Sequence, residues 1–164
     1  MFVSFANGAF SGGTLQHLLY LIVITFVPGV ELRGAIPLAI TVYKMSPLAA
    51  FLIITFVNIL IIPVVFLLWD LALFLARKIK FIDTYLKKLD ARSRSVIEKY
   101  GFWGLTLFVA VPLPGTGAYT GAFIAEIFGM EKKKAFWAIA LGVLIAGIVV
   151  TLLTTGALSV FGKR

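Results

Sequence analysis

A chain of 164 residues that is 61% hydrophobic and only 13% charged is too apolar and too poor in charge for a soluble globular domain. It has no cysteine, which excludes disulfides, thiolate chemistry and cysteine-ligated metal, and its apolar runs are continuous where a transmembrane β-barrel needs alternation. The net charge of +8 sits where a membrane protein carries its cytoplasmic loop, so topology accounts for it without a nucleic-acid partner. The expected class is an all-α integral membrane protein, with 1–164 forming a single membrane domain.

In chain order, Ala6 to Gly13 is a glycine-rich stretch with no basic residue before it, which does not have the form of a cleaved signal peptide. Thr14 is placed to cap a helix over the apolar run Leu15 to Val27, which Pro28-Gly29 stops. Glu31 opens a second short helix that should end near Tyr43-Lys44, its carboxylate suited to the positive end of the helix dipole. A span needs about 20 apolar residues, so neither arm crosses alone and the pair reads as a re-entrant hairpin. Ser46 and Pro47 then fit the cap and first position of a helix that stays apolar to Ala76 apart from Thr55, Asn58 and Asp70. Pro63 should kink it, with Asn58 bonding to the carbonyls that the proline frees.

Eight basic residues lie between Arg77 and Lys99. By the positive-inside rule this segment is cytoplasmic, and apolar residues at helical spacing make 79–99 an amphipathic helix on the headgroups, with a soluble linker as the alternative. The apolar run from Phe102 breaks at Pro112, resumes over Ala118 to Phe128, and is followed by Lys132-Lys133-Lys134. Basic clusters on both sides fit a second hairpin or two short spans, and the first arm is about half a span long, which favours the hairpin. Ala135 to Phe161 is the last span, with Gly142, Gly147 and Gly156 allowing close helix approach.

Each half therefore holds one re-entrant helical hairpin and one long transmembrane helix, and the halves enter the membrane from opposite faces. This is an inverted repeat, with repeat 1 at about 14–78 and repeat 2 at about 100–161, joined by the cytoplasmic amphipathic helix. Pro28-Gly29 matches Pro114-Gly115, and Met45 before Phe51 matches Met130 before Phe136 after a slip of one residue. The topology puts 79–99 and 131–134 in the cytoplasm and both termini outside.

Ionisable residues at membrane depth are rare and usually mark an ion or substrate path. Arg33 suits an anion, above all phosphate, because its guanidinium presents a fixed fork of donors and stays charged. Glu31 could exchange a proton if burial raises its pKa, while a structural Glu31–Arg33 or Glu31–backbone pair is the rival reading. Two residues apart on a helix these side chains do not face each other, so each should have another partner. Helix N-termini after Gly29 and Gly115 would add backbone donors, and Thr116, Tyr119 and Thr120 add neutral hydrogen-bonding groups. The glycines at 115, 117 and 121 permit close approach and equally suit simple packing. Glu126 is either a second proton site or a partner of the nearby lysines, and Asp70, close to Arg77, reads as interfacial. His17 has no ligand cluster around it, so neither a metal nor any other cofactor is expected, and no catalytic constellation appears.

With Glu31-Leu32-Arg33-Gly34-Ala35-Ile36-Pro37 and Val111-Pro112-Leu113-Pro114-Gly115-Thr116-Gly117-Ala118-Tyr119-Thr120-Gly121 in view, the chain resembles the small multidrug export protein family over nearly its whole length. That family is similar to the wider DedA-like superfamily of membrane proteins. The resemblance implies two hairpins facing each other from opposite leaflets, proton-dependent transport, and movement of lipids such as the undecaprenyl phosphate carrier of envelope assembly. The DedA-like pattern has an acidic residue and arginines near the hairpin tips. Glu31 and Arg33 match the first tip, whereas Tyr119 stands where the second would carry an arginine.

The resulting expectation is a small carrier in a prokaryotic-type inner or plasma membrane, not an enzyme. Its partners are membrane lipids, an amphipathic or anionic lipid-like substrate, and protons; a homodimer is compatible with its size. Substrate binding is assigned to Gly29, Glu31, Arg33, Gly115, Thr116, Tyr119 and Thr120, and proton coupling to Glu31 and Glu126. Drug export and a non-transporting assembly subunit are the alternatives.

Overall fold

Two turns, at Gly29 and Gly115, organise the chain. Val30 N–H donates to the Val27 carbonyl at 3.1 Å and Thr116 N–H to the Leu113 carbonyl at 3.3 Å, while Gly29 and Gly115 both have φ +87°. That is the bond and the glycine conformation of a type II turn, in which proline suits the position before the glycine. The computed structural model describes residues 12–76, 101–113 and 115–161, with side chains not described for 12–14, 72–76 and 161. The expected amphipathic helix over 79–99 lies outside these residues.

The described residues form six helices and no strand. They are α1 (Gly12–Thr25), α2 (Glu31–Thr41), α3 (Pro47–Ala76), α4 (Gly101–Ala110), α5 (Ala118–Ile127) and α6 (Lys132–Phe161). Helices α3 and α6 each have 30 residues, ~45 Å at the α-helical rise, and contain apolar stretches at Pro47–Leu71 and Lys132–Val160 long enough to cross a membrane. The others are short, with 14 residues in α1, 11 in α2 and 10 in α5.

Several boundaries differ from those expected. Helix α1 (Gly12–Thr25) takes Thr14 into the helix instead of having it as the cap. It stops at Thr25, because Phe26 and Val27 already donate to the Val23 and Ile24 carbonyls in the turn. Helix α2 ends at Thr41, before Tyr43-Lys44, where Lys44 turns the chain with φ +54°. Helix α6 begins at Lys132, taking in all three lysines. Ser46 does cap α3, its Oγ accepting the Ala49 N–H at 3.3 Å.

The two halves share more than element order. After the glycine at +87° each has a short helix, then a positive-φ residue (Lys44 at +54°, Gly129 at +64°) followed by methionine, then a helix of 30 residues. Each methionine N–H turns back onto its short helix, Met45 to Ala39 O six residues back and Met130 to Ala125 O five residues back. Contacts between halves are reciprocal: α3 packs on α5 and α2 packs on α6, while α3 and α6 pack on each other.

Small residues permit these approaches. Ala35 and Ala39 of α2, Ala118, Ala122 and Ala125 of α5, and Ala138 and Ala146 of α6 are buried, whereas Leu52, Phe56, Leu67, Leu152 and Leu153 point outward on the long helices. Without a hydrophobic drive between helices in lipid, close packing of small side chains supplies the attraction. A Cβ on Gly142 would stand 2.8 Å from the Thr106 carbonyl, and one on Gly147 2.7 Å from Thr55 Oγ1. Gly156, expected to do the same, has nothing within 4 Å.

Candidate functional site

The N-cap residue of α5 is Gly117, which has no side chain to accept the unpaired N–H groups of the first turn. Glu31 supplies the acceptor from the other half. Its carboxylate takes the Ala118 N–H at 2.9 Å and the Tyr119 N–H at 3.4 Å, and it occupies the space that a Cβ on Gly117 would fill. A carboxylate at a helix N-terminus also meets the positive end of the dipole. Glu31 is 2% exposed and holds φ +46°, a left-handed conformation that costs a non-glycine residue about 1–2 kcal/mol. Its cross-half hydrogen bonds offset that strain.

Arg33 approaches the opposite pole of the same turn. Its Nη2 donates to Thr116 Oγ1 at 2.8 Å and to the Val111 carbonyl at 3.3 Å, just past the end of α4, where a cation suits the negative end of the dipole. Thr116 Oγ1 in turn bonds to the carbonyls of Val111 at 2.6 Å and Leu113 at 2.9 Å. Arg33 Nη1 and Glu31 Oε2 are 3.9 Å apart, so the two charges touch only marginally and each has another partner across the halves. Arg33 Nε and Nη1 are buried without an acceptor.

Tyr119 answers Arg33 from the second half, its hydroxyl donating to the Phe26 carbonyl at the end of α1 at 2.7 Å. The residue four positions after each turn glycine thus reaches the residue just past a helix end in the other half, Arg33 at Val111 and Tyr119 at Phe26. Arginine does so in one half and tyrosine in the other.

Of the residues expected to bind substrate, Glu31, Arg33, Thr116 and Tyr119 are brought together, and Gly29 and Gly115 form the turns beside them. Thr120 follows in α5, with no side-chain hydrogen bond among the described residues. Gly117, which the sequence offered equally as a close-approach or a packing glycine, belongs to the site because Glu31 lies on it; its place before a helix start was the available signal.

Glu126 is elsewhere, at the other end of α5 ~12 Å from Ala118 along the helix. Lys132 Nζ lies 3.6 Å from Glu126 Oε1 and also pairs with Asp70, so this lysine joins the ends of α3, α5 and α6. Burial pushes the Glu126 carboxyl pKa up, with Lys132 opposing and Asp70 reinforcing the shift. Asp70 was expected beside Arg77, which lies outside the described residues; its described partner is Lys132. Asn58 does not bond to freed carbonyls: its amide is buried and neither Oδ1 nor Nδ2 has a partner. His17 stacks on Tyr43 with ring centroids 4.3 Å apart. Among the described residues no three His, Cys, Asp or Glu side chains are grouped to hold a metal.

Two long apolar helices, packed around short helices whose ends exchange charged and polar side chains, define a helical membrane protein with a polar site between its turns. Residues 31–149 match the family described as "Putative small multi-drug export protein", and the chain belongs to that family. No curated protein and no solved structure matches it.

Proposed function

We propose that the chain is a carrier that moves an amphipathic anion, with a lipid-linked phosphate as first candidate, through a site between two re-entrant hairpin tips near the bilayer midplane. The observation that carries this reading is Arg33, only 12% exposed where the turns meet, with Nε and Nη1 lacking acceptors. A guanidinium stays protonated, and a charge at membrane depth costs about 2.5–3.5 kcal/mol on insertion scales. An anionic headgroup offers what those donors lack.

Glu31 gives the site a coupling device. While ionised, it fills the N-terminus of α5 where a substrate anion would be drawn. Protonation removes its charge and weakens its hold on the Ala118 and Tyr119 N–H groups, freeing them to join Arg33 on the substrate. One proton taken up by Glu31 thus accompanies one anion bound.

The inverted repeat belongs to the same proposal. Glu31 and Gly117 each lie two residues after their turn glycine, and they are in contact with each other. A residue that touches its own counterpart lies on the two-fold axis relating the copies. There is space on that axis for one carboxylate, and glycine opposite leaves it. With α3 and α6 as the two spans, 79–99 and 131–134 face the cytoplasm and both termini lie outside.

Drug export is the second reading, favoured by the family description. The test is flux into proteoliposomes of tail-labelled fluorescent phosphatidylglycerol and, separately, of ethidium. Arg33→Lys keeps the charge but loses the planar fork, so it should slow the lipid about tenfold, and Arg33→Gln should slow it more. Ethidium movement without lipid movement favours drug export. Movement of neither favours an assembly subunit. Full recovery of both flux and thermal stability in Glu31→Gln/Arg33→Gln makes the two residues scaffolding and removes the site.

A further inference from the structure

Resting on that transport reading, we propose that Thr55 and Asn58 of α3 form a second subsite, which takes a hydroxyl of the substrate headgroup while Arg33 holds the anion. Six helical threonines, at 25, 41, 106, 151, 154 and 155, return their hydroxyl to the carbonyl four residues back. Thr55 does not. Its side chain lies toward Gly147 of α6, where absence of a Cβ leaves it space, and its hydroxyl is buried without a partner at 2% exposure. One turn on, on the same face, Asn58 is 0% exposed with both amide atoms unpartnered. Pro63 adds to the set, because it has no N–H to give the Ile59 carbonyl.

Asn58 stands near the height of the α5 N-terminus, and Thr55 one turn farther along α3. Trp69 meets Phe123, and Asp70 and Glu126 share Lys132, which aligns the ends of α3 and α5. Counting back along packed helices, Asn58 is ~18 Å before Asp70 and Ala118 is ~12 Å before Glu126. Asn58 is therefore about one helical turn beyond the N-terminus of α5. Helix α3 packs on both α2 and α5, the helices that carry Glu31, Arg33 and that N-terminus.

The chemistry selects the ligand. Asn58 offers a carbonyl acceptor and two N–H donors, and Thr55 can donate and accept. Neither carries a charge to hold an ion, and a hydroxyl, which donates and accepts, satisfies both. If they held nothing, their burial would only destabilise the fold, and apolar residues of similar shape would be tolerated without loss of function.

Reconstituted protein should be assayed with two tail-labelled lipids of equal headgroup charge, phosphatidylglycerol, whose head has hydroxyls, and phosphatidylethanol, whose head has none. We expect the native chain to move phosphatidylglycerol about fivefold faster, the order one net hydrogen bond supplies. Thr55→Val and Asn58→Leu should each lower that ratio toward one while the thermal midpoint is maintained or rises. Equal rates in the native chain, a preference retained in both variants, or equal slowing of both lipids would overturn the subsite while leaving the carrier reading in place. Movement of neither lipid by the native chain would instead remove the carrier reading for lipids, and the subsite with it.

Discussion

The Glu31 carboxylate lies in the space that a Cβ on Gly117 would need, and from there it caps a helix in the other half of the chain. Two sequence-distant turns are thereby held together by the acidity of one residue and the smallness of the other.

Gly117→Ala should push the carboxylate off the Ala118 and Tyr119 N–H groups and cost about 2 kcal/mol, the scale of hydrogen bonds to a charged group. In a Glu31→Ala background the same change should cost little. Gly115→Ala is the control, since a Cβ there meets nothing within 4 Å and the cost is only the positive φ, about 1–2 kcal/mol whatever stands at 31. Thermal denaturation of the single and double variants measures the coupling, and strict additivity of Gly117→Ala with Glu31→Ala would sink the capping account.

Glycines in α6 should divide by contact. Gly142→Ala places a methyl 2.8 Å from the Thr106 backbone carbonyl and should destabilise by about 1–3 kcal/mol. Gly156→Ala meets nothing within 4 Å and should stabilise by about 0.5–1 kcal/mol through helix propensity. A reversed order of melting temperatures would mean that α6 packs differently in the membrane.

Cysteine accessibility tests the topology. Ser93→Cys and Lys133→Cys should react with a membrane-impermeant maleimide only from the cytoplasm, and Gly12→Cys and Gly162→Cys only from outside. Labelling of Thr116→Cys from outside, with Lys133→Cys still cytoplasmic, would replace the second hairpin by two short spans.

Burial raises the Glu126 carboxyl pKa, so the folded protein keeps that proton to higher pH than the unfolded chain does. Its stabilising contribution is full below the ordinary carboxylate range and is lost as pH rises through the raised value. Melting temperature should fall across that window, and Glu126→Gln should flatten the fall. Superimposable pH profiles for the two proteins would show that Glu126 does not titrate abnormally.

Composition and punctuation made much of the fold legible before any coordinates. Long apolar runs with few charges require helices, because backbone groups in lipid must bond within their own segment. The glycines of Pro28-Gly29 and Pro114-Gly115 adopt the left-handed φ that such turns demand, and Ser46-Pro47 opens α3 as its cap chemistry dictates. Helix ends were less legible. Thr25 and Thr41 are the last residues of α1 and α2 although apolar sequence continues past both, because turn hydrogen bonds decide where a helix stops.

The sequence alone determined that Glu31 and Arg33, two charges set between apolar runs, needed separate partners, since residues two apart on a helix do not face each other. Only the tertiary structure decided which partners. Ala118 and Tyr119 N–H and the Val111 carbonyl are backbone groups, present at every residue, so no side-chain pattern announces them. The same holds for Thr55 and Asn58: their polarity is written in the chain, but whether a hydroxyl folds back on its own helix or turns inward depends on Gly147, 92 residues after Thr55 in the chain. Local sequence sets where helices can begin and which faces are apolar, while packing between distant helices chooses which polar atoms are satisfied and which remain for a ligand.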